Sequence, residues 1–184
     1  AIFPIGGSNI TNDIAIGLRT DIDTAERIKL DFGSCVSQKT KGKEKMKEIK
    51  GDLDSGSVVF SQKALVGIIE ARVSEIFEQV EKELKKISRQ GLLPAGIVLV
   101  GGGAKLPKII ELAKKELKLP CRIGRPNKGI FPPQEDPALA VVCGLVLMGA
   151  DLEGGHGVSG FNFHKGLAAN FGAKLKKIFK IFLP

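Results

Sequence analysis

Tryptophan and tyrosine are absent from this 184-residue chain, and its ten phenylalanines are the only aromatics. A nucleic-acid platform that stacks bases on a sheet draws on all three, so the shortage weighs against that class. Cysteine is scarce too. Cys35, Cys121 and Cys143 are far apart and odd in number. They fit neither a zinc spacing nor a disulfide framework, which points to a reducing compartment. No run approaches the ~18 apolar residues of a bilayer-spanning helix. The two histidines, His156 and His164, have no carboxylate or cysteine beside them, so no metal site is expected. There is no secretory leader and no initiating methionine; the opening AIFPIGG predicts a piece of a longer protein.

What the chain has is a core-forming 43% of hydrophobic residues, a net charge of +8 and a pI near 9.4. Such a balance suggests an anionic partner: a membrane surface, an acidic protein or nucleic acid, the last disfavoured by the missing aromatics.

The most informative stretch is VLVGGGAKLP, residues 98–107. Ile97 to Val100 predict a parallel-sheet strand covered on both faces. Pro107 is expected to open a helix that runs from about Lys108 to Leu117. Gly101, Gly102 and Gly103 then occupy a strand-to-helix turn. That turn is either a tight connection with no ligand or a surface where a nucleotide lies against exposed backbone. It matches neither a Walker A loop nor a G-x-G-x-x-G fingerprint.

Around this turn, Ser8 or Asn9 is a plausible N-cap for a helix carrying Ile10, Ile14 and Leu18. DTAERIKLDFG is a second helix ending near Gly33. Residues 37–56 are polar and highly charged and predict an exposed hairpin, its first strand near Met46 to Ile49 and its partner SVVF. A long amphipathic helix is expected from about Gln62 to Ser88. CRIGRP predicts a short strand, and DPALAVVCGLVLMGA a buried helix with Pro137 at its first position. Residues 151–169 read as a flexible glycine-rich linker.

Residues 170–184 form a separate element. Projected at about 100° per residue, Phe171, Leu175, Ile178, Phe179 and Phe182 share one face. Lys176, Lys177 and Lys180 lie opposite, with Lys174 on the flank, and no acid follows Glu153. At about 20 Å such a helix is too short to span, and it suits the interface of an anionic membrane.

GGSNITNDIA, AERIK and VLVGGGAKLP, in that order, resemble the second half of the actin-like (ribonuclease H-like) ATPase core, an α/β fold. GGSNITNDIAIGLRT, AERIKLDFGS, IIEARVSEIFE, DPALAVVCGLVLMG and the basic amphipathic end together resemble the bacterial cell-division family FtsA. The resemblance implies an outer subdomain over residues 1–90 and a returning part of the inner subdomain over 91–150. It implies ATP as ligand, with Glu26, Lys29 and Gly33 flanking the adenosine and Gly101, Gly102 and Gly103 packing on the other side of the purine. For Glu26 the residues by themselves also allow a capping box with Asp23 and a surface ion pair. The family further implies self-association into filaments and tethering of the FtsZ ring, through the FtsZ C-terminal tail, to the cytoplasmic face of the plasma membrane at the division septum. Arg72 on the long helix is the expected contact for that tail, with Lys82, Lys85, Lys86 and Arg89 further along. The acidic, glycine-rich phosphate hairpins of the actin-like core are missing from these residues. No catalytic residue is therefore assigned, and these 184 residues alone are expected to bind nucleotide very weakly and not to hydrolyse it. Two alternatives are an FtsA-like pilus assembly scaffold, PilM, and a sugar or acetate kinase of the same superfold.

Overall fold

A computed structural model describes residues 1–37, 45–50, 57–87, 93–126 and 136–153. Helix α1 spans Gly7–Leu18 and α2 spans Ile22–Phe32; a hairpin of β1 (Met46–Lys50) and β2 (Ser57–Ser61) leads into α3 (Gln62–Lys86). Then come β3 (Ile97–Leu99), a 3-10 turn at Gly102–Lys105, α4 (Ile109–Leu117), β4 (Cys121–Ile123), a 3-10 turn at Pro137–Leu139 and α5 (Ala140–Glu153).

Helix α1 starts earlier than its polar residues suggest. Gly6, not Ser8 or Asn9, is the N-cap, and its N–H donates to Asn9 Oδ1 at 2.8 Å. Asn9 thus reaches back from the third helical position, as the second residue of a capping box does. Ile10 and Ile14 are buried, as their spacing predicts. Asp21, not Asp23, caps α2: its carboxylate accepts from the Thr24 N–H at 2.7 Å. The capping box of Asp23 with Glu26 does not form, because Asp21 takes the cap and Glu26 turns to Thr11 of α1 and Lys29 of its own helix. At the far end Gln62 Nε2 donates to the Phe32 carbonyl oxygen at 2.7 Å, filling one acceptor that the helix end leaves open.

Ser61 caps α3 by accepting from the Ala64 N–H at 3.2 Å. Leu65, Ile69, Val73 and Phe77 recur every four residues and are buried. This stripe is the spine of the core, packed by α1 on one side and α4 on the other. In the antiparallel hairpin Ile49 faces Val58 and Lys47 faces Phe60. Ile49 and Phe60 are buried, and the Phe60 ring meets Phe32 edge-on at 5.6 Å. Two apolar anchors therefore hold an otherwise charged hairpin against the end of α2.

Strands β3 and β4 are parallel, with Ile97 beside Cys121 and Leu99 beside Ile123, and α4 is their crossover. Two expectations of burial are corrected here. Val98 and Val100 are 43% and 47% exposed, so the strand is not covered on both faces; among the described residues it pairs only with β4. Likewise α5 is apolar but not buried, with Val141, Leu145 and Met148 each about 60% exposed, because it touches the rest of the described fold mainly through the turn that starts it. Pro107 does not open α4 either. Lys108 intervenes at φ +64°, separating the 3-10 turn from the helix.

All three cysteines are free. Cys35 is fully buried, and burial, helped by the charge of Glu70, pushes its thiol up to about 12. Cys121 is also buried and raised for the same first reason. Since the thiolate is the reactive form, a thiol reagent at neutral pH should modify Cys143 promptly and the other two only on unfolding. Rapid labelling of Cys35 in the native chain would contradict this packing.

Candidate functional site

Helix α2 carries Glu26 and Lys29 one turn apart, and Gly33 caps its end. Lys29 is only 8% exposed, and its Nζ has three partners: Glu26 Oε2 at 2.6 Å, Thr11 Oγ1 at 2.8 Å and the Gly7 carbonyl oxygen at 3.3 Å. The Thr11 hydroxyl in turn donates to Glu26 Oε2. Burial alone would push the Glu26 carboxyl up, but hydrogen bonds from Lys29 and Thr11, and the Lys29 charge, hold it below the usual glutamate value. The pair is thus a fixed, ionised unit joining the first turn of α1 to the middle of α2. Sequence reading missed Thr11. The available signal was its place in GGSNITNDIA, four residues after Gly7.

Gly33 leaves its room to the protein itself. A Cβ there would meet the Lys29 carbonyl oxygen, and Ile69 Cδ1 at 3.2 Å. Two residues on, the Cys35 N–H donates to the Pro107 carbonyl oxygen at 2.9 Å. The end of α2 is thereby joined to the loop that follows the three glycines.

Those glycines differ from one another. Gly101 has φ +91° and ψ 174°, a region that only glycine enters cheaply. Its N–H donates to the Pro137 carbonyl oxygen at 2.8 Å. Gly102 and Gly103 need no such conformation, and a Cβ on either would meet no atom of the described residues within 4 Å. They present bare backbone to open space. Lys105 pairs with Asp136 at 2.9 Å, and Asp136 caps the Pro137 turn by accepting from the Ala138 N–H. Both contacts, led by the Lys105 hydrogen bond, lower the Asp136 carboxyl. The glycine turn is therefore braced from two sides, at Pro107 and at Pro137.

Arg72 sits elsewhere, on the α1–α3 surface. Its Nε and Nη2 clamp Asp13 at 2.5 and 2.8 Å, and Nη1 reaches Glu75 at 2.6 Å. Its cation is already shared by two carboxylates. Lys82, Lys85 and Lys86 pair with Glu78, Glu81 and Glu83 of their own helix, while Arg89 lies outside the described residues. So do Phe171, Lys174, Leu175, Lys176, Lys177, Ile178, Phe179, Lys180 and Phe182. Among the described residues no cluster of His, Cys, Asp and Glu could hold a metal, and no helix is long and apolar enough to cross a membrane.

Comparison with solved structures finds MreB5 of Spiroplasma citri bound to ADP, with a TM-score of 0.60 and 18% identity over 82% of this chain and 46% of that one. The same protein bound to AMPPNP also scores 0.60, with 21% identity over 84% and 47% of the two chains. At this identity the likeness concerns the fold, which is a partial actin-like one. In sequence, the chain is 35% identical over 151 residues to the cell division protein FtsA of Pseudomonas aeruginosa, covering 81% of this chain and 36% of that protein. For the FtsA of Neisseria meningitidis serogroup B the figures are 39% over 157 residues, 84% and 38%. For that of Agrobacterium fabrum they are 31% over 186 residues, 95% and 42%. The chain thus spans well under half the length of the relatives it matches. The family model for cell division protein FtsA matches residues 1–144, and with these relatives it establishes that this chain belongs to the FtsA family of cell division proteins.

Proposed function

We propose that the chain contributes one side of an adenine-nucleotide site to a full-length protein that tethers the FtsZ ring to the cytoplasmic membrane face at the septum and assembles into filaments. The observation that carries the nucleotide part is the bracing of the glycine turn against the end of α2, through the bond from Cys35 to Pro107. The residues suit an adenosine: Glu26, fixed by Lys29 and Thr11, supplies a carboxylate, and Gly102 and Gly103 supply open backbone. Gly33 shapes the junction and Gly101 sets the turn. ADP and AMPPNP in the MreB5 structures support the same reading. ATP brings the phosphates, for which these residues offer no cradle. Residues 1–90 form the outer subdomain, and 91–150 the returning inner part. Filament assembly is supported by the actin-like fold.

The tether rests on the tail, residues 170–184, and the expected linker of 151–169 is shortened at its start, because α5 continues through Asp151 and Leu152 to Glu153. Its alignment with the Agrobacterium relative covers 95% of this chain, so it must run past Glu153.

For FtsZ the docking surface is the α1–α3 face around Arg72. An acidic tail peptide competes there with Asp13 and Glu75 for the guanidinium. In a titration of the folded protein with an FtsZ C-terminal peptide, Arg72→Glu should lose binding. Asp13→Asn should retain or tighten it, since one competing carboxylate is gone. Wild-type affinity in Arg72→Glu would move the docking surface elsewhere.

A further inference from the structure

We propose that Thr11 is a positioning residue of the nucleotide site, its hydroxyl holding the Glu26–Lys29 pair so that one oxygen of Glu26 is left to face the ligand. The inference rests on the nucleotide reading above. Lys29 has three N–H donors, and all three are engaged, by Glu26, Thr11 and the Gly7 carbonyl. It has no donor to spare for a ligand without breaking one of these bonds. Thr11 accepts from Lys29 and keeps a single proton to donate. Its oxygen lies close to Glu26 Oε2 and 3.3 Å from the Gly7 carbonyl oxygen. Of its two acceptors, the Glu26 carboxylate is nearer and charged, so it takes the proton in preference to the Gly7 carbonyl. Thr11 is itself buried, so no water substitutes for these bonds at its side chain.

The consequence is a division of labour. Glu26 Oε2 is consumed by Lys29 and Thr11, whereas Oε1 has no partner among the described residues, and the side chain is 42% exposed. Glu26 is the group that can accept a hydrogen bond from a hydroxyl or amino group of a ligand. Lys29 and Thr11 act through it. Because Thr11 belongs to α1 and Glu26 to α2, the orientation of the acceptor depends on the packing of the two helices.

The test compares Thr11→Val, which keeps shape and loses the hydroxyl, with Thr11→Ser, which keeps the hydroxyl, in the full-length protein. NMR reads the Glu26 carboxyl titration and the Lys29 ammonium signal, and an ADP titration reads affinity. Thr11→Val should raise the Glu26 midpoint towards the ordinary glutamate value, broaden the Lys29 signal through faster exchange and weaken ADP roughly tenfold. Thr11→Ser should restore all three. An unshifted Glu26 midpoint in Thr11→Val, or a Thr11→Ser variant as impaired as Thr11→Val, overturns the role of Thr11. If wild-type protein gives no ADP response at Glu26 or Lys29, the nucleotide reading falls, and the inference with it; that outcome is distinct because the pair would still respond to Thr11→Val.

Discussion

Removal of residues 171–184 is expected to abolish co-sedimentation of the protein with anionic liposomes. The tail lies outside the described residues, and the expectation rests on its pattern. Four lysines, Lys174, Lys176, Lys177 and Lys180, each contribute about 1 kcal/mol near an anionic surface. The face of Phe171, Leu175, Ile178, Phe179 and Phe182 contributes more, since burying one such side chain fully is worth about 1.5–3 kcal/mol. The apolar part therefore outweighs the electrostatic part. High salt should weaken binding without eliminating it, whereas Phe179→Glu with Phe182→Glu should be as damaging as truncation. The same assay contains its own refutation: if the truncated chain pellets as well as the intact one, the basic surface of the folded part binds the lipid, and the tail is not the tether.

The second large effect concerns Gly102. In the full-length protein Gly102→Val should eliminate detectable ATP binding while leaving thermal unfolding nearly unchanged. A Cβ at this position meets no atom of the described residues within 4 Å and requires no unusual backbone angle, so the fold tolerates a side chain there. A ligand lying against the turn does not. Gly101→Val gives the contrast. Its φ of +91° puts the strain, of order 1–3 kcal/mol, into the turn itself, so stability should fall along with binding. Calorimetric titration with ATP, run beside a thermal melt, separates the two variants. Full ATP affinity in a folded Gly102→Val would remove the purine from this turn.

Much of the architecture is legible from local pattern. The stripe of Leu65, Ile69, Val73 and Phe77 announces α3 because a 3.6-residue period places those side chains on one face. Strand, glycine turn and helix between Ile97 and Leu117 follow from residue types that act on their own backbone, and the joint order of motifs is enough to point to the family. The burial of β3 and α5 is misjudged from the same kind of signal. Apolar composition reports a capacity for burial, whereas exposure depends on what other elements supply; among the described residues Val98 and Leu145 have little to pack against.

The sequence by itself thus determined the elements, their order and the family, since periodicity, capping and turn chemistry act within a few residues. Only the tertiary structure decided where the charges go. Arg72 looks like a free cation on an amphipathic helix, yet its carboxylate partner Asp13 lies 59 residues away in the chain. Glu26 and Lys29 look like a surface pair or a cap, yet Thr11 on another helix completes their network. Gly33 looks like a residue kept small for a ligand, yet a Cβ there would already meet Ile69 and the Lys29 carbonyl, so the fold itself requires glycine. Each outcome depends on how far one helix is rotated and how closely it approaches another, and no spacing along a single helix encodes that.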